Sequence, residues 1–352
     1  MLFVVGETPV PVVETQKYVE MKESQVLLLK VARKLYGCLF GEPSLYGTLP
    51  GAELDAQAAS ERIYDLLLRD EPCMIARFGS NELGCVVNYL GIQHGPYPLW
   101  DFIKGNTPEW WWNKGMMNCM QVNAGFFPNT EENLSRFCEL MLRDMAQLDV
   151  LGSWIRQETL IADRLKADVY IAQMNLLEPF WSTTPWTRAL KGKKVVVVHP
   201  FAELIASQYQ NHRTQLFQNP DILPEFDLRT VKAVQSMGGE ANGFKDWFEA
   251  LDWMKTEMAK ESYDIALIGC GAYGFSLAAE AKRTGHQAVH LGGVLQHLFG
   301  IRGKRWENPD YGVEAWGLPY GSYSGMMNDA WVRAGDAYKP KRAQDVEEGT
   351  YW

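Results

Sequence analysis

The chain has 352 residues, 47% hydrophobic and 22% charged, a balance that excludes wholesale disorder and suits one large α/β domain with appendages, or two domains. Its 34 Lys and Arg against 43 Asp and Glu leave a net charge of −9, which argues against a surface built to grip nucleic acid or anionic membrane. A local basic pocket for a phosphorylated small molecule is still compatible with that balance.

The opening stretch Met1 to Val5 is apolar but has no basic flank and is cut off by Gly6 and Pro9, too short for a signal h-region. No apolar run reaches the length that spans a bilayer. Residues 7–14 are broken by proline and read as extended. Residues 15–36 carry a helical pattern, with Met21, Leu28, Ala32 and Leu35 near one face and Gln25 interrupting it. The stretch 41–54 is rich in Gly and Pro and reads as a linker. A main domain is expected to start at residue 55, after an N-terminal helical extension.

From there helices and strands alternate. Residues 55–69 pattern as an amphipathic helix, Cys73 to Phe78 as a strand, and a helix follows Gly79-Ser80-Asn81-Glu82 to about Leu90. Asn129 or Thr130 can cap a helix that opens on Glu131-Glu132 and runs to about Ala146. Leu148 to Trp154 and Asp168 to Ala172 are strand candidates. Val195 to Val198 is apolar on both faces, as a central parallel strand must be, and it stops at His199-Pro200-Phe201. Leu228 to Val234 is a strand, Phe244 to Lys260 a helix, and Tyr263 to Ile268 a strand. A glycine-rich turn, a helix to about Thr284 closed by Gly285, and a strand from Gln287 to Leu291 complete the rhythm. Strand, helix, strand in this order predicts an α/β fold with a mostly parallel sheet flanked by helices. Ligands of such sheets sit at the carboxyl ends of the strands, which selects the loops 78–82, 199–201, 235–239 and 269–274.

Gly269-x-Gly271-x-x-Gly274 matches the dinucleotide fingerprint, between a strand and a helix. Bare backbone there can approach phosphate at a helix N-terminus. A nicotinamide site also needs an acid after the next strand, where this chain has His290-Leu291-Gly292-Gly293. That disfavours NAD and leaves tight helix–sheet packing, or another phosphate or sugar. Arg77 at the end of the first strand can fork onto phosphate. Glu82, in the first turn of a helix, could ligate Mg²⁺ or act as a base; a structural pairing with Arg77 is the plainer reading. His199 could meet a diphosphate or simply bond a loop carbonyl. His290 and His297, with Arg302, Lys304 and Arg305, form the most cationic stretch of an acidic chain, suited either to phosphate or to a solvated face.

Among 13 tryptophans, Trp110-Trp111-Trp112, Trp306 and Trp316, with Tyr320, offer faces for sugar rings, although packing is the commoner use of any one of them. Six scattered cysteines without C-x-x-C spacing read as reduced thiols, hence a cytoplasmic protein. There is no G-x-S-x-G, P-loop, H-E-x-x-H or D-x-D motif.

Arg77-Phe78-Gly79-Ser80-Asn81-Glu82 after a short apolar strand resembles the R-F-G-D-G-E signature of the GT-D-type glycosyltransferases. The block Asp264 to Gly271, followed by Ala288 to Gly292, is similar to that family's closing strand, glycine loop, helix and strand. The resemblance spans roughly residues 55 to 305 and leaves an aromatic-rich tail, 306–352, outside it. It implies a Rossmann-like transferase using a nucleotide-sugar donor, the UDP type first, with Mn²⁺ or Mg²⁺ on the D-x-E part of the signature. The acceptor would be a glycan or glycoprotein of surface polysaccharide biosynthesis. Glu82 matches the second acid, and Ser80 stands where the first belongs. Three outcomes stay open: a metal held by Glu82 with the diphosphate, replacement of the metal by cationic side chains, or loss of transferase activity.

The site expected on these grounds has Arg77 and Glu82 as catalytic groups, with Glu82 as the metal ligand. Gly79, Ser80, Asn81, His199, Gly269, Gly271, Tyr273, Gly274, His290 and Lys304 would bind the donor. Glu158 and Asp163 are further candidates for the acceptor base by chemistry alone. The alternatives are a non-catalytic nucleotide-sugar or glycan binding protein, and a Rossmann enzyme using NAD or S-adenosylmethionine. An oligomer formed through the tail is compatible with the sequence.

Overall fold

The computed structural model describes residues 21–237, 242–341, 343–346 and 349–352. The opening apolar stretch, the extended segment 7–14, the start of the 15–36 helix and the last residues of loop 235–239 lie outside them. The described residues form two compact units, 21–42 with 88–112, and those of 43–87 with 113–352.

The second unit is built on seven strands: β1 (Cys73–Arg77), β2 (Val150–Ser153), β3 (Tyr170–Gln173), β4 (Lys194–His199), β5 (Asp227–Lys232), β6 (Ile265–Ile268) and β7 (Gln287–His290). They pair in the order β3-β2-β1-β7-β6-β4-β5, and every pairing is parallel, with Ile75 opposite both Val150 and Val289, and Leu267 opposite both Val197 and Val289. The inner strands are buried on both faces, so they read as unbroken apolar runs. Successive side chains point to opposite faces. Ile75, Val195, Val197, Ile265, Leu267 and Val289 share one core cluster with Ile63, Leu67, Ile205 and Leu216, residues of helices α2 (Ala56–Leu68) and α7 (Ala202–Leu216). The alternate residues Met74, Ala76, Val196, Ala266 and Ala288 are fully buried as well. They are mostly small, which lets helix α9 (Gly274–Arg283) sit close over β1, β6 and β7.

Helix ends follow local chemistry. Asp55 accepts the Ala58 N–H to open α2, Asn113 accepts the Gly115 and Met116 N–H groups to open α5 (Lys114–Val122), and Thr130 accepts the Asn133 N–H to open α6 (Glu131–Met145). Helix α8 spans Trp247–Lys260, opened by Asp246 accepting the Glu249 N–H. Residues 301–352 pack on the same unit. Ile301–Arg302 (β8) pairs with Val332–Arg333 (β9), and the Trp331 indole donates to the Leu216 carbonyl at 3.2 Å.

In the first unit, helix α1 spans Glu23–Phe40, with Met21 and Lys22 outside it and its end four residues beyond 36. Gln25 is its third residue, and its side chain accepts the Lys22 N–H at 3.1 Å, so it caps the helix rather than interrupting it. Gly41 (φ 87) ends it. Helix α3 (Ser80–His94), whose residues up to Val87 belong to the second unit, runs four residues further than Leu90, and α4 is Leu99–Ile103. The Trp110 and Trp111 rings meet Phe102 edge-on, each at 5.3 Å. This tryptophan cluster packs its own unit and does not line the cavity described next.

Candidate functional site

The carboxyl ends of β1, β7, β6 and β4 stand side by side at the middle of the sheet, where parallel α/β folds place ligands. The turn after β1 meets the first turn of helix α9, which follows the β6 turn, with the Phe78 and Phe275 rings stacked at 4.8 Å. A cavity of about 990 Å³ opens over these ends and lies wholly within the α/β unit.

Arg77, the last residue of β1, lies between an indole and a glycine. Its Nη1 donates to the Phe78 carbonyl at 3.0 Å. The Trp154 ring sits 5.9 Å from the guanidinium carbon, and the Trp154 Nε1 donates to the same carbonyl at 2.9 Å. A Cβ on Gly292 (φ +67) would fall 2.8 Å from Arg77 Cζ, so that glycine leaves the guanidinium its room. Arg77 Nε is buried without a hydrogen-bond partner among the described residues. Buried donors are normally paired, so an acceptor from outside the chain would complete this one.

Gly79 opens α3, accepting the Leu83 N–H at 2.9 Å. A Cβ on Gly79 would collide with the Glu82 carboxylate. Glu82 therefore folds back over the start of its own helix, as a third-position acid does in a capping box. Gly79, Ser80, Asn81 and Glu82 all line the cavity. Among the described residues no three His, Cys, Asp or Glu side chains come together. Hard divalent cations want several oxygen ligands, so the donor set at Glu82 does not fit a resident metal.

The glycine loop works in two ways. Gly269 extends the ladder, donating to the Val198 carbonyl at 3.0 Å, and a Cβ there would fall 3.0 Å from His199 Cδ2. A Cβ on Gly274 would run into the His290 ring. Gly274 therefore seats the His290 imidazole, whereas Gly269 also makes room for the Gly292 carbonyl oxygen and the Leu295 Cβ, at 2.6 and 2.9 Å from its Cβ position. Gly271 differs: it has φ +57, the conformation that favours glycine, and the nearest atom to its Cβ position is the Ala124 carbonyl oxygen at 3.7 Å. Gly269, Gly271 and Tyr273 line the cavity and Gly274 does not, because its open side is filled by His290. The Tyr273 hydroxyl lies 3.1 Å from Ser236 Oγ and its ring stacks on Trp247 at 4.9 Å, so its free capacity for a ligand is small.

His199 and His290 line the cavity but are 3% and 4% exposed. Burial drives His199 down to about 3. Burial and then the Arg77 charge drive His290 to about 3. Both rings are therefore neutral at ordinary pH and cannot neutralise phosphate as cations. His297 is sealed away, with both ring nitrogens buried. Lys304 is exposed and does not line the cavity, while Arg305 does. Adjacent residues of the short helix Lys304–Glu307 point about 100° apart, so the cation expected at 304 is supplied at 305. Arg305 lies 5.2 Å from the Tyr351 ring.

The walls come from segments with no motif. Residues 44–48, read as linker, contribute, as do Asp310, Tyr311, Glu314 and Trp316 of the tail. Of the expected tail aromatics only Trp316 lines the cavity. Trp306 is buried against His297 at 4.4 Å, and Tyr320 is 71% exposed. Glu158 and Asp163 lie off the cavity. Glu158 bonds the Ser153 hydroxyl and accepts the Trp154 N–H at 3.2 Å, and burial raises it to about 7. Asp163 is exposed beside Arg164 at 3.4 Å.

Sequence reasoning missed Glu178. It adjoins a small void of about 40 Å³ shared with Arg77, Arg305 and Tyr311. Its carboxylate accepts from the Tyr323 hydroxyl at 2.7 Å and the Trp181 indole at 3.1 Å. Burial raises it to about 8, against the pull of those donors and the Arg77 charge. No motif surrounds Glu178, so no local signal could have found it.

No protein-family model, curated protein or solved structure matches the chain.

Proposed function

We propose that the cavity binds a nucleotide-linked sugar and that the protein is a glycosyltransferase of GT-D type. The supporting observation is that the turns after β1 and β6 line one cavity with Arg77 beside them, Phe78 stacking on Phe275 at the start of the helix after β6. At about 990 Å³ the cavity is at the large end for small-molecule sites, a fit for a nucleoside diphosphate and a pyranose together. Arg77 and Arg305 supply positive charge, the Gly271 turn supplies bare backbone, and Tyr311 and Trp316 supply faces for a sugar ring. Asp310 and Glu314 line the tail side and suit hydroxyl groups, which they can only accept from.

In the proposed reaction an acceptor hydroxyl oxygen bonds to the anomeric carbon as the bond from that carbon to the diphosphate oxygen breaks, and the hydroxyl proton passes to water. The electron pair leaves with the diphosphate. Positive charge placed where the leaving group becomes negative lowers that barrier, and Arg77 and Arg305 hold that role. Glu82 holds the β1 turn in shape through its fold over Gly79. A metal entering with the donor would be part of the substrate.

A thermal-shift series tests the reading: UDP-, GDP- and dTDP-sugars against NAD and S-adenosylmethionine, each with and without Mn²⁺. Stabilisation by a nucleotide-sugar and not by NAD or S-adenosylmethionine is expected. A response to NAD alone would remove the proposal. The second reading is a nucleotide-sugar binding protein without turnover, favoured by Ser80 in the place of the first acid. Slow donor hydrolysis that disappears in Arg77→Ala would support the enzyme, and binding with no hydrolysis or transfer would favour the binding protein.

A further inference from the structure

The cavity holds two neutral imidazoles whose hydrogen-bonding polarity is fixed and opposite. His199 ends β4, and its Nδ1 accepts the Phe201 N–H at 3.0 Å. That nitrogen must carry the lone pair, so the proton is on Nε2. His290 ends β7, and its Nδ1 lies 3.1 Å from the Ile268 carbonyl oxygen. A carbonyl only accepts, so Nδ1 carries the proton and Nε2 keeps the lone pair.

These Nδ1 bonds hold both buried rings in place. The His290 ring also fills the Cβ position of Gly274, and His199 Cδ2 lies 3.0 Å from that of Gly269. Among the described residues neither Nε2 has a protein hydrogen-bond partner, and both rings line the cavity. His297 makes the contrast: both its nitrogens are buried and unpartnered, and it does not line the cavity.

A phosphoryl oxygen accepts and does not donate. It matches the His199 N–H and is repelled by the His290 lone pair. A hydroxyl group can donate to that lone pair. We propose that the two histidines sort the ligand, His199 donating to a phosphoryl oxygen and His290 accepting from a hydroxyl group of the same molecule. The identity of that molecule rests on the nucleotide-sugar reading above. The hydroxyl belongs either to the transferred sugar or to the ribose, and the ligands below separate the two.

Calorimetric titration tests this with His199→Phe and His290→Phe. The ligands are inorganic pyrophosphate, glucose 1-phosphate, the nucleoside diphosphate that stabilises the wild type most, and its sugar conjugate. His199→Phe is expected to weaken all four alike, by about tenfold, the worth of one hydrogen bond to a charged group. His290→Phe is expected to leave pyrophosphate unchanged and to weaken the sugar conjugate by about fivefold or more. A loss confined to sugar-bearing ligands assigns the hydroxyl to the sugar. A loss shared with the nucleoside diphosphate assigns it to the ribose. Equal loss of pyrophosphate in both variants, or no loss in His290→Phe for any ligand, would overturn the proposal. If a Phe variant fails to fold, the smaller Leu at the same position carries the comparison. Weakening of glucose 1-phosphate in His290→Phe with no binding of any nucleotide-sugar would keep the sorting and discard the nucleotide-sugar reading.

Discussion

Gly292→Ala separates backbone cost from site damage. Gly292 has φ +67, and a Cβ there would fall 2.8 Å from both Cζ and Nε of Arg77. Holding an alanine in left-handed backbone costs about 1–2 kcal/mol. The collision adds little to that, because the obstacle is the far end of a flexible side chain, yet it displaces the guanidinium from its place over Trp154. Gly317 is the internal control: it also has φ +67, and nothing lies within 4 Å of its Cβ position. Both alanine variants should therefore lose about 1–2 kcal/mol in urea unfolding. Only Gly292→Ala should lose affinity for a nucleoside diphosphate, by roughly ten- to a hundredfold, the worth of hydrogen bonds from a guanidinium to an anion. Arg77→Ala should match that loss without the stability change of a strained backbone. If Gly292→Ala binds as well as Gly317→Ala, Arg77 is not the anion-binding group and the site reading fails.

Arg305→Ala should weaken the same ligand by at least roughly tenfold and Lys304→Ala should not, measured by the same titration; the reverse result would place the cation at 304. Gly274→Ala has no left-handed backbone to strain, so its cost comes from pushing His290 aside, about 1–3 kcal/mol in chemical denaturation; a neutral result would mean that the ring relocates freely. Glu178, raised from an ordinary 4.5 to about 8, binds its proton more tightly folded than unfolded. Its contribution to stability is complete below pH 4.5 and is lost as pH rises through about 8. Urea midpoints should fall over that window, and Glu178→Gln should flatten the fall; Glu158, raised to about 7, leaves a smaller slope behind. A Glu178→Gln protein with the wild-type slope would show that Glu178 does not titrate there.

Each of the seven strands was legible because burial on both faces, or alternation at the edges, is written in consecutive residues. The ends moved by only a few positions: Tyr263 to Ile268 narrowed to Ile265–Ile268, and Leu228 to Val234 shifted to Asp227–Lys232. The order of the strands was not legible, because the pairing of Cys73 with Gln287 joins residues far apart in the chain and no local pattern carries it. The same limit governs the site. Arg77, Glu82 and the glycine loop announced themselves by type and spacing. Arg305 and Lys304 are chemically alike in sequence and differ only in the direction a short helix turns them. Glu178, residues 44–48 and the tail around Tyr311 reach the cavity through tertiary packing alone. Charge was misread for the histidines because exposure was assumed; burial makes them neutral.

The glycines show why a motif can be found for one reason and kept for another. G-x-G-x-x-G suggests phosphate held by bare backbone, and within the motif Gly271 alone has a left-handed φ, with the Ala124 carbonyl oxygen 3.7 Å from its Cβ position. The Cβ position of Gly274 is filled by His290 and that of Gly292 by Arg77, while that of Gly269 is closed by the Gly292 carbonyl and Leu295 as well as by His199. Two glycines thus give an imidazole and a guanidinium their room at neighbouring strand ends, and the third lets two strand-end turns approach. On the proposed reading the specificity of the cavity then resides in those side chains rather than in the loop. An enzyme that cradled the diphosphate on backbone alone would tolerate exchange of either histidine. This architecture predicts that it does not, because each ring has one polarity to offer.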